Sequence, residues 1–287
     1  MSTKQEYTKG SVTSKDGTII GYRQMGSGPG LIILHGGFNT SQHMMKLGKA
    51  LSDKFTVFIP DRRGRGLSGP FGDNYNIQKE DEDMDALITE TGAYYVFGTA
   101  DGALFALHAA ISLHSIKMIV AYEPVLFVGQ SGVEEFKASM VRFDNDIAEG
   151  KLADAMVGLT KSANIKFINY LIPDILLEQI FRLYIWNDAR NIKDDDVSGK
   201  DLLPTAQYEF QIVQETEGTI EDYKNVSAEV LLFNSSKSAP LIEESIIALN
   251  KVLPHSKRIE LKGLNHDSAQ NYGKPEIIAQ EIKLFLE

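Results

Sequence analysis

A five-residue stretch with a glycine at each end, Gly98-Thr99-Ala100-Asp101-Gly102, constrains this chain more than any other feature. It directly follows the apolar run Tyr94-Tyr95-Val96-Phe97, which is typical of a buried strand. Glycines at both ends let a strand enter a helix through a very tight turn, and the middle residue is then held clear of the sheet. In the reactive form of this turn the middle residue is a serine. Here Ala100 offers only a methyl group, so we expect no covalent catalysis at this position.

Short apolar segments separated by loops predict further strands on both sides of this turn. Each is short and wholly or largely apolar, as strands covered on both faces are. The segments are 31–34, 55–60, 94–97, 117–122, 228–233 and 258–261. The loops that follow them include His35-Gly36-Gly37-Phe38, the glycine-rich stretch 61–69, Glu123-Pro124 and Gly263-Leu264-Asn265-His266-Asp267.

These motifs, in this order and at these spacings, resemble the α/β-hydrolase superfamily over nearly the whole chain. The resemblance implies an α/β fold with a mostly parallel eight-stranded sheet, helices on both faces and a helical cap inserted after strand 6. Residues 1–124 and 226–287 would form the core. Residues 125–225 would form the cap, because this stretch of about 100 residues shows helical patterns and no convincing strand.

Turn and helix signals complete the expected order of elements. Asp16-Gly17 predicts the turn of a leading hairpin over residues 8–25. The charged run Lys79–Asp83 is interpreted as the solvated face of its helix. Helices are predicted near 41–52, 77–91, 101–114, 241–253 and 275–286.

The resemblance implies a catalytic triad in the chain order nucleophile, acid, histidine. Ala100 stands at the nucleophile position, and His266, in the loop after the last strand, stands at the base position. For the acid we expect Glu123, at the end of the strand after the turn helix, where a carboxylate can orient the histidine. The usual acid loop, 234–238, carries no carboxylate before Glu243 and Glu244. The alternative is that Glu123 only caps a loop.

Two backbone N–H groups must converge on the negative oxygen of a reacting carbonyl. The motifs place these donors at Asp101 and Gly37, with Phe38 competing with Gly37. Asp101 itself is a poor candidate for the nucleophile. Moving the pattern by one residue would put the β-branched Thr99 where glycine is needed.

Aromatic residues are spread through the expected cap, and most of them must pack in its own core. Phe127, Tyr184 and the single tryptophan, Trp186, are nonetheless candidate substrate contacts, together with His35. The usual part of His35 in such a turn is to hydrogen-bond the loop. His43, His108 and His114, expected in helices, and His255 look ordinary. An aromatic lid favours a bulky, largely apolar ester or lactone, which Asn187, Asp188 and Arg190 could orient.

Composition excludes several classes of function. A formal net charge of −10 and a pI near 5.2 argue against nucleic acid as a partner, since phosphate binding needs a basic face. The chain has no cysteine, so thiolate metal sites and disulfides are excluded. No leader peptide or membrane span is apparent, which predicts a cytoplasmic protein. Nothing in the sequence suggests a metal or an organic cofactor.

At a finer level the chain resembles the serine-dependent macrolide esterases, which are cytoplasmic resistance enzymes. That resemblance implies opening of the lactone ring of a macrolide antibiotic, once a serine stands at position 100. Alanine there has two explanations. Either it replaces a catalytic serine, which would trap intact substrate, or the chain is a pseudo-hydrolase that uses the capped pocket to bind a small molecule. We favour the first, because the base, the acid and the oxyanion loop are all retained.

Overall fold

A computed structural model of the protein describes residues 7–130, 132–162, 172–192 and 195–287. Its centre is one eight-stranded sheet with the spatial order β1-β2-β4-β3-β5-β6-β7-β8. This confirms the predicted mostly parallel eight-stranded sheet. The strands are β1 Thr8–Thr13, β2 Ile19–Gly26, β3 Gly30–Leu34, β4 Thr56–Pro60, β5 Tyr95–Thr99, β6 Met118–Tyr122, β7 Glu229–Ser235 and β8 Ser256–Leu261.

The antiparallel part of the sheet is confined to its first edge. Strand β2 pairs antiparallel with both β1 and β4, and the turn of the hairpin is closed at Gly17, whose φ is 88°. From β4 to β8 every neighbouring pair is parallel. The carboxyl ends of these six strands therefore lie at one edge, where α/β sheets place their ligands.

The core helices follow the predicted segments closely, with one correction. The helix after β5 ends at Ala109 rather than at 114, so His114 lies in the turn that follows and not in a helix. His43 lies in a short 3-10 helix, Ser41–Met44, that precedes α1. The core helices are α1 Met45–Leu51, α2 Ile77–Thr91, α3 Asp101–Ala109, α9 Pro240–Val252 and α10 Pro275–Leu286.

The sheet is buried on both faces, as parallel sheets are. On β3 the side chains of Leu31, Ile32 and Ile33 all have no exposed surface, although successive residues point to opposite faces. Leu31 and Ile33 belong to the cluster covered by α1 and α10, whereas Ile32 packs with α2, α3 and α9. This two-sided burial explains why the strands are short, continuous apolar runs.

Helices fill the part of the chain between β6 and β7 that the structure describes, and no strand occurs there. Two ion-pair clusters fasten this region to the core. Buried Arg23 contacts Asp195 and Asp196, and Glu209 pairs with arginines of the loop after β4. The helices are α4 Val133–Ala148, α5 Leu152–Ser162, α6 Asp174–Arg190, α7 Gly199–Leu202 and α8 Ala206–Glu215.

The charged run on α2 is not a wholly solvated face, contrary to the sequence-based interpretation. Glu80 and Asp83 are 6% and 5% exposed. Glu80 receives hydrogen bonds from Arg62, and Asp83 receives two from Arg63, at 2.8 and 2.6 Å. The loop after β4 lies against this side of α2 and brings cations to the two acids, so burial leaves no unpaired charge.

Candidate active site

The turn around Ala100 has the strained geometry that the flanking glycines predict. Ala100 has φ 51° and ψ −119°, a region that residues with a side chain rarely adopt. A Cβ on Gly98 would lie 2.4 Å from the carbonyl oxygen of Gly102, and one on Gly102 would lie 2.6 Å from that of His35. Only glycine fits at either place. The turn is thus centred on Ala100 and not on Asp101.

Hydrogen bonds fix Ala100 at the carboxyl edge of the sheet. Its N–H donates to the carbonyl oxygen of Tyr122 on β6 at 2.9 Å, and its own carbonyl oxygen accepts from Ala103 and Leu104 in α3. Asp101 is the first residue of α3, so its N–H has no intrahelical acceptor. The turn therefore places a backbone donor beside the methyl group.

His266 and Glu123 form a hydrogen-bonded pair at the same edge of the sheet. The Nδ1 atom of His266 lies 2.7 Å from Oε2 of Glu123, whose side chain is fully buried. The other carboxylate oxygen accepts from the N–H and the hydroxyl of Ser235, at 2.8 and 2.5 Å, and from the hydroxyl of Ser238. Every hydrogen bond holds this carboxylate in its charged form.

The pair shifts both pKa values. Burial would raise the pKa of Glu123, but hydrogen bonds from His266, Ser235 and Ser238 lower it below its ordinary value. Burial would likewise lower the pKa of His266, but the hydrogen bond and charge of Glu123 prevail and raise it to about 9. With its Nδ1 bound to Glu123, the ring of His266 keeps Nε2 for a second partner.

The alternative acids lie elsewhere. Glu243, on α9, is half exposed and pairs with Arg258 at 3.1 Å. Ser238, in the usual acid loop, donates to Glu123 and thereby supports it. Of the carboxylates weighed from the sequence, the structure brings Glu123 to His266. Its φ of 51° shows that the chain turns sharply at the strand end to do so.

The loop after β3 lies against the turn. A Cβ on Gly36 would lie 2.9 Å from that of Ala100, and one on Gly37 would lie 2.9 Å from Oδ2 of Asp101. Asn39 holds the loop by donating from Nδ2 to the carbonyl oxygen of Gly37 at 2.7 Å. Phe38 has a positive φ of 57°, and its ring packs on Phe143 of α4. Gly37 and Asp101 are thus neighbours, as an oxyanion site requires.

Comparison with known structures assigns the fold. An α/β hydrolase from Sphaerobacter thermophilus is 25% identical and superposes over 97% of this chain and 100% of its own, with a TM-score of 0.75. The chain has the α/β-hydrolase fold. An esterase from a Rhodococcus species, 17% identical, superposes over 98% of both chains with a TM-score of 0.68. An epoxide hydrolase from Vigna radiata, 16% identical, superposes over 100% and 99% with a TM-score of 0.67.

Sequence comparison adds partial similarity to curated proteins. An uncharacterized hydrolase from Bacillus subtilis is 28% identical over 115 residues, which cover 38% of this chain and 42% of the relative. The match thus spans less than half of either protein. No family model matches the sequence. The α/β-hydrolase fold is therefore assigned from structure.

Among the candidate substrate contacts, the structure gives His35 a structural position. Its ring has no exposed surface. Nε2 accepts from the N–H of Arg62 at 3.2 Å, so Nδ1 carries the proton and donates to the carbonyl oxygen of Gly36 at 2.9 Å. Burial, assisted by the charges of Arg65 and Arg62, keeps the pKa of this ring well below its ordinary value. His35 ties two loops of the α/β-hydrolase core together.

The three aromatic candidates lie in different environments. Phe127 is 1% exposed and packs against Phe136 in the core, so it presents no surface to a ligand. Tyr184 and Trp186 lie on α6 and are 50% and 52% exposed. Trp186 is covered on one face by the guanidinium of Arg190, 3.8 Å from its ring centre.

The polar candidates of the cap serve its own structure at least in part. Asp188 accepts a hydrogen bond from the N–H of Gly199 at 2.5 Å, which ties α6 to α7. Tyr184 lies on the same side, 3.7 Å from the position that a Cβ of Gly199 would take. Asn187 accepts from Asn191 one turn later through its carbonyl oxygen and Oδ1.

Glu209, which the sequence did not single out, is brought by α8 to the loop after β3. Its carboxyl carbon lies 3.6 Å from where a Cβ of Gly37 would stand, and the side chain is 3% exposed. It accepts from Arg62 at 3.3 Å and from Arg65. A signal was present in the paired arginines of the loop after β4, which require buried carboxylates. The sequence could not say which acid of the cap would supply one.

Neither a metal cluster nor a membrane helix occurs among the described residues of this α/β-hydrolase fold. No group of three or more histidine and acidic side chains there is arranged to hold a metal ion. No helix in the same part of the chain is long and apolar enough to cross a membrane.

Proposed function

We propose that this protein has the architecture of a serine-type carboxylic ester or lactone hydrolase, with alanine at the nucleophile position. The observation that carries the proposal is the complete pair of His266 and Glu123 at the edge of the sheet where Ala100 stands in its strained turn. The names of the solved neighbours, an α/β hydrolase and an esterase among them, support a hydrolase. With Ala100 the chain would bind its substrate and leave it intact.

The roles follow from the geometry once a serine occupies position 100. His266 would take the proton of the hydroxyl as it attacks the carbonyl, and Glu123 would stabilise the imidazolium that forms. The N–H groups of Gly37 and Asp101, with Phe38 as the competing donor, would hold the oxyanion. Water activated by His266 would then release the acyl group. This sequence of steps needs no metal or organic cofactor.

The substrate that we propose is a bulky, largely apolar small molecule, with a macrolide lactone as the specific candidate. The support for bulk and low polarity is helix α6, which leaves large apolar side chains uncovered. Leu183 is 63% exposed, and Tyr184 and Trp186 are each about half exposed. The macrolide itself rests on the resemblance in sequence. A cytoplasmic location, and an antibiotic-resistance role, rest on the same resemblance.

A second candidate function is a binding protein that never hydrolyses its ligand. The observation that favours it is Ala100 itself, because the strained turn persists without the oxygen that it would present. In that case the cap and the loop after β3 would form a receptor site for a small ester or lactone.

Replacement of Ala100 by serine distinguishes the two. We expect Ala100→Ser to release product from aryl esters and macrolide lactones with a burst that matches the enzyme concentration. The double variant Ala100→Ser, His266→Ala serves as the control and is expected to lose this activity by several orders of magnitude. No turnover by Ala100→Ser, together with measurable ligand binding, would instead establish the receptor.

A further inference from the structure

Two carboxyl groups lie beside Gly37 in the loop after β3, one carried by α3 and one by α8. Oδ2 of Asp101 lies 2.9 Å from the point where a Cβ of Gly37 would stand, and the carboxyl carbon of Glu209 lies 3.6 Å from the same point. Asp101 opens helix α3 in the core and is 8% exposed, whereas Glu209 belongs to α8 and is 3% exposed. Both acids are therefore buried next to the predicted carbonyl site.

Neither carboxyl group has its hydrogen bonds completed by the described part of the chain. Oε1 of Glu209 accepts from Arg62 and Arg65, but its buried Oε2 has no partner there. Asp101 has no hydrogen bond to its carboxylate within the same residues. Leaving a buried polar group unpaired is costly, so each such group in a folded protein needs an explanation, and a bound ligand is one.

The charges around Glu209 leave one negative charge uncompensated. Arg62 and Arg65 contribute two positive charges, and Glu80, Glu209 and Asp101 contribute three negative ones when ionised. Burial raises the pKa of Asp101 to about 6, and the charge of Glu209 adds to this effect while the arginines oppose it. One proton or one further cation would balance the cluster.

The remaining titratable groups do not supply that cation. His266 faces Asp101 from the loop after β8, but Glu123 already balances its charge. His35, behind the loop, is held neutral by burial and by the two arginines. An ionised Asp101 would also repel the oxyanion that forms beside it, because both charges lie where water is scarce. A cation at Asp101 removes this conflict.

We propose that Asp101 and Glu209 form a subsite for a protonated amine that the ligand carries close to its carbonyl group. The inference rests on the proposed function, since it takes the carbonyl to lie between Gly37 and His266. The amine would donate to the carboxylate of Asp101, which accepts no hydrogen bond from the described residues, and the buried negative charge of Glu209 beside it would add to the attraction. The ligand class is thus an amine-bearing ester or lactone of largely apolar body.

The test uses the chain as it is, because Ala100 leaves esters intact. The probes are 2-(dimethylamino)ethyl phenylacetate, which is cationic at neutral pH, and its uncharged isostere 3-methylbutyl phenylacetate. Isothermal titration calorimetry measures both affinities. We expect the cationic ester to bind about tenfold or more tightly than the neutral one, as for a charge pair that is shielded from water. Equal affinities would overturn the proposal.

Matched variants locate the effect. Asp101→Asn and Glu209→Gln keep the shape of each side chain. We expect Asp101→Asn to bring the ratio of the affinities for the cationic and the neutral ester close to one. Glu209→Gln should lower this ratio by several-fold. Glu80→Gln is the control, because Glu80 belongs to the same buried cluster but contacts Arg62 on the side of α2. An unchanged ratio in Asp101→Asn, or an equal fall in Glu80→Gln, contradicts a subsite at the oxyanion loop.

Proton release tests the same inference without any variant. An amine that binds Asp101 expels the proton that balanced it, so calorimetry in buffers of different ionisation enthalpy should show release of about half a proton near pH 6 and almost none near pH 8. The neutral ester should release none. Absence of release with the cationic ester overturns the proposal.

The outcomes separate this proposal from the broader one. If Ala100→Ser hydrolyses the neutral ester but the cationic ester has no advantage, the amine subsite is wrong and the hydrolase stands. If neither ester binds and Ala100→Ser is inactive on both, both proposals fail.

Discussion

Ala100 keeps a backbone conformation that favours glycine, although it has no reactive group to present. Strain of this kind costs about 1–3 kcal/mol in residues with a Cβ and persists only where the surroundings enforce it. Here they do, because the turn is held by β6 on one side and by α3 on the other. The surrounding structure therefore imposes this backbone conformation on residue 100, whatever side chain stands there.

Glycine at this position should stabilise the protein. Ala100→Gly relieves the positive φ of 51° but adds chain entropy to the unfolded state, so we expect a net gain of about 1 kcal/mol in the free energy of unfolding. Ala103→Gly, in the same helix with no exposed surface, is the control and should lose about 1–2 kcal/mol. Urea denaturation measures both. A loss of equal size in the two variants would show that the turn is unstrained.

The pair of Glu123 and His266 predicts a window of pH in which it stabilises the fold. The pKa of Glu123 is lowered from 4.5, so its contribution is present above that value and is lost as the pH falls. The pKa of His266 is raised from 6.5 to about 9, so its contribution is complete below 6.5 and is lost as the pH rises through about 9.

Glu123→Gln should therefore destabilise the protein most between these limits. We expect the difference in unfolding free energy from the parent chain to be largest near pH 5 to 6 and to shrink above about pH 9. Urea denaturation at a series of pH values measures this difference. If the difference in unfolding free energy stays constant from about pH 6 to about pH 10, the carboxylate of Glu123 does not stabilise the protonated form of His266.

At the scale of elements, the sequence predicted the strands that are buried on both faces. It did not predict features that depend on contacts with residues far away in the chain. Strands such as β3 are continuous apolar runs, and the helix predicted near 77–91 matches α2, Ile77–Thr91. The end of α3 at Ala109 was missed because no glycine or proline marks it. The burial of Glu80 and Asp83 did have a signal, since both share a helical face with Ile77, Met84 and Leu87.

Because Asp83 lies on this buried face, we expect it to contribute more to stability than Asp85, which is exposed. Asp83→Ala would leave buried Arg63 with Asp16 as its remaining acidic partner, so we expect a loss at the lower end of the range for a broken buried pair, about 3 kcal/mol in unfolding free energy. Asp85→Ala, two residues further along the helix and exposed, should change the unfolding free energy by no more than about 0.5 kcal/mol. Thermal and urea unfolding compare the two. Equal losses of stability in the two variants would mean that Asp83 is as solvated as Asp85, as the sequence predicted for this helix face.

For the molecule as a whole, the sequence predicted that Ala100, Glu123 and His266 would lie near one another, but it did not predict the contacts that join the helices between β6 and β7 to the core. The three residues follow strands, so their motifs predict positions at one edge of the sheet. Glu209 and Asp195 lie about 150 residues or more from Arg62 and Arg23, and nothing local in the sequence pairs them. Only the folded structure shows which acidic side chains pair with the buried arginines of the core.

One such contact can be tested without touching a charged group. Gln42 donates from Nε2 to the carbonyl oxygen of Val197 at 2.9 Å, and its Oε1 accepts from the N–H of Val197 at 2.6 Å. These two hydrogen bonds connect the core to the residues just before α7. Gln42→Ala removes both bonds, each contributing about 0.5–1.5 kcal/mol. Because Gln42 and Val197 are only partly buried, loss of the bridge should free this segment locally.

We expect amide exchange over residues 195–202 to accelerate about tenfold in Gln42→Ala while the sheet exchanges as before, measured by hydrogen exchange and mass spectrometry. Gln207→Ala is the matched control, because exposed Gln207 donates only to Pro204 within the same region. It should leave the exchange of 195–202 unchanged. Uniform acceleration across the chain would instead mean that the cap region and the core unfold as one unit, with Arg23 and Glu209 sufficient to hold them together.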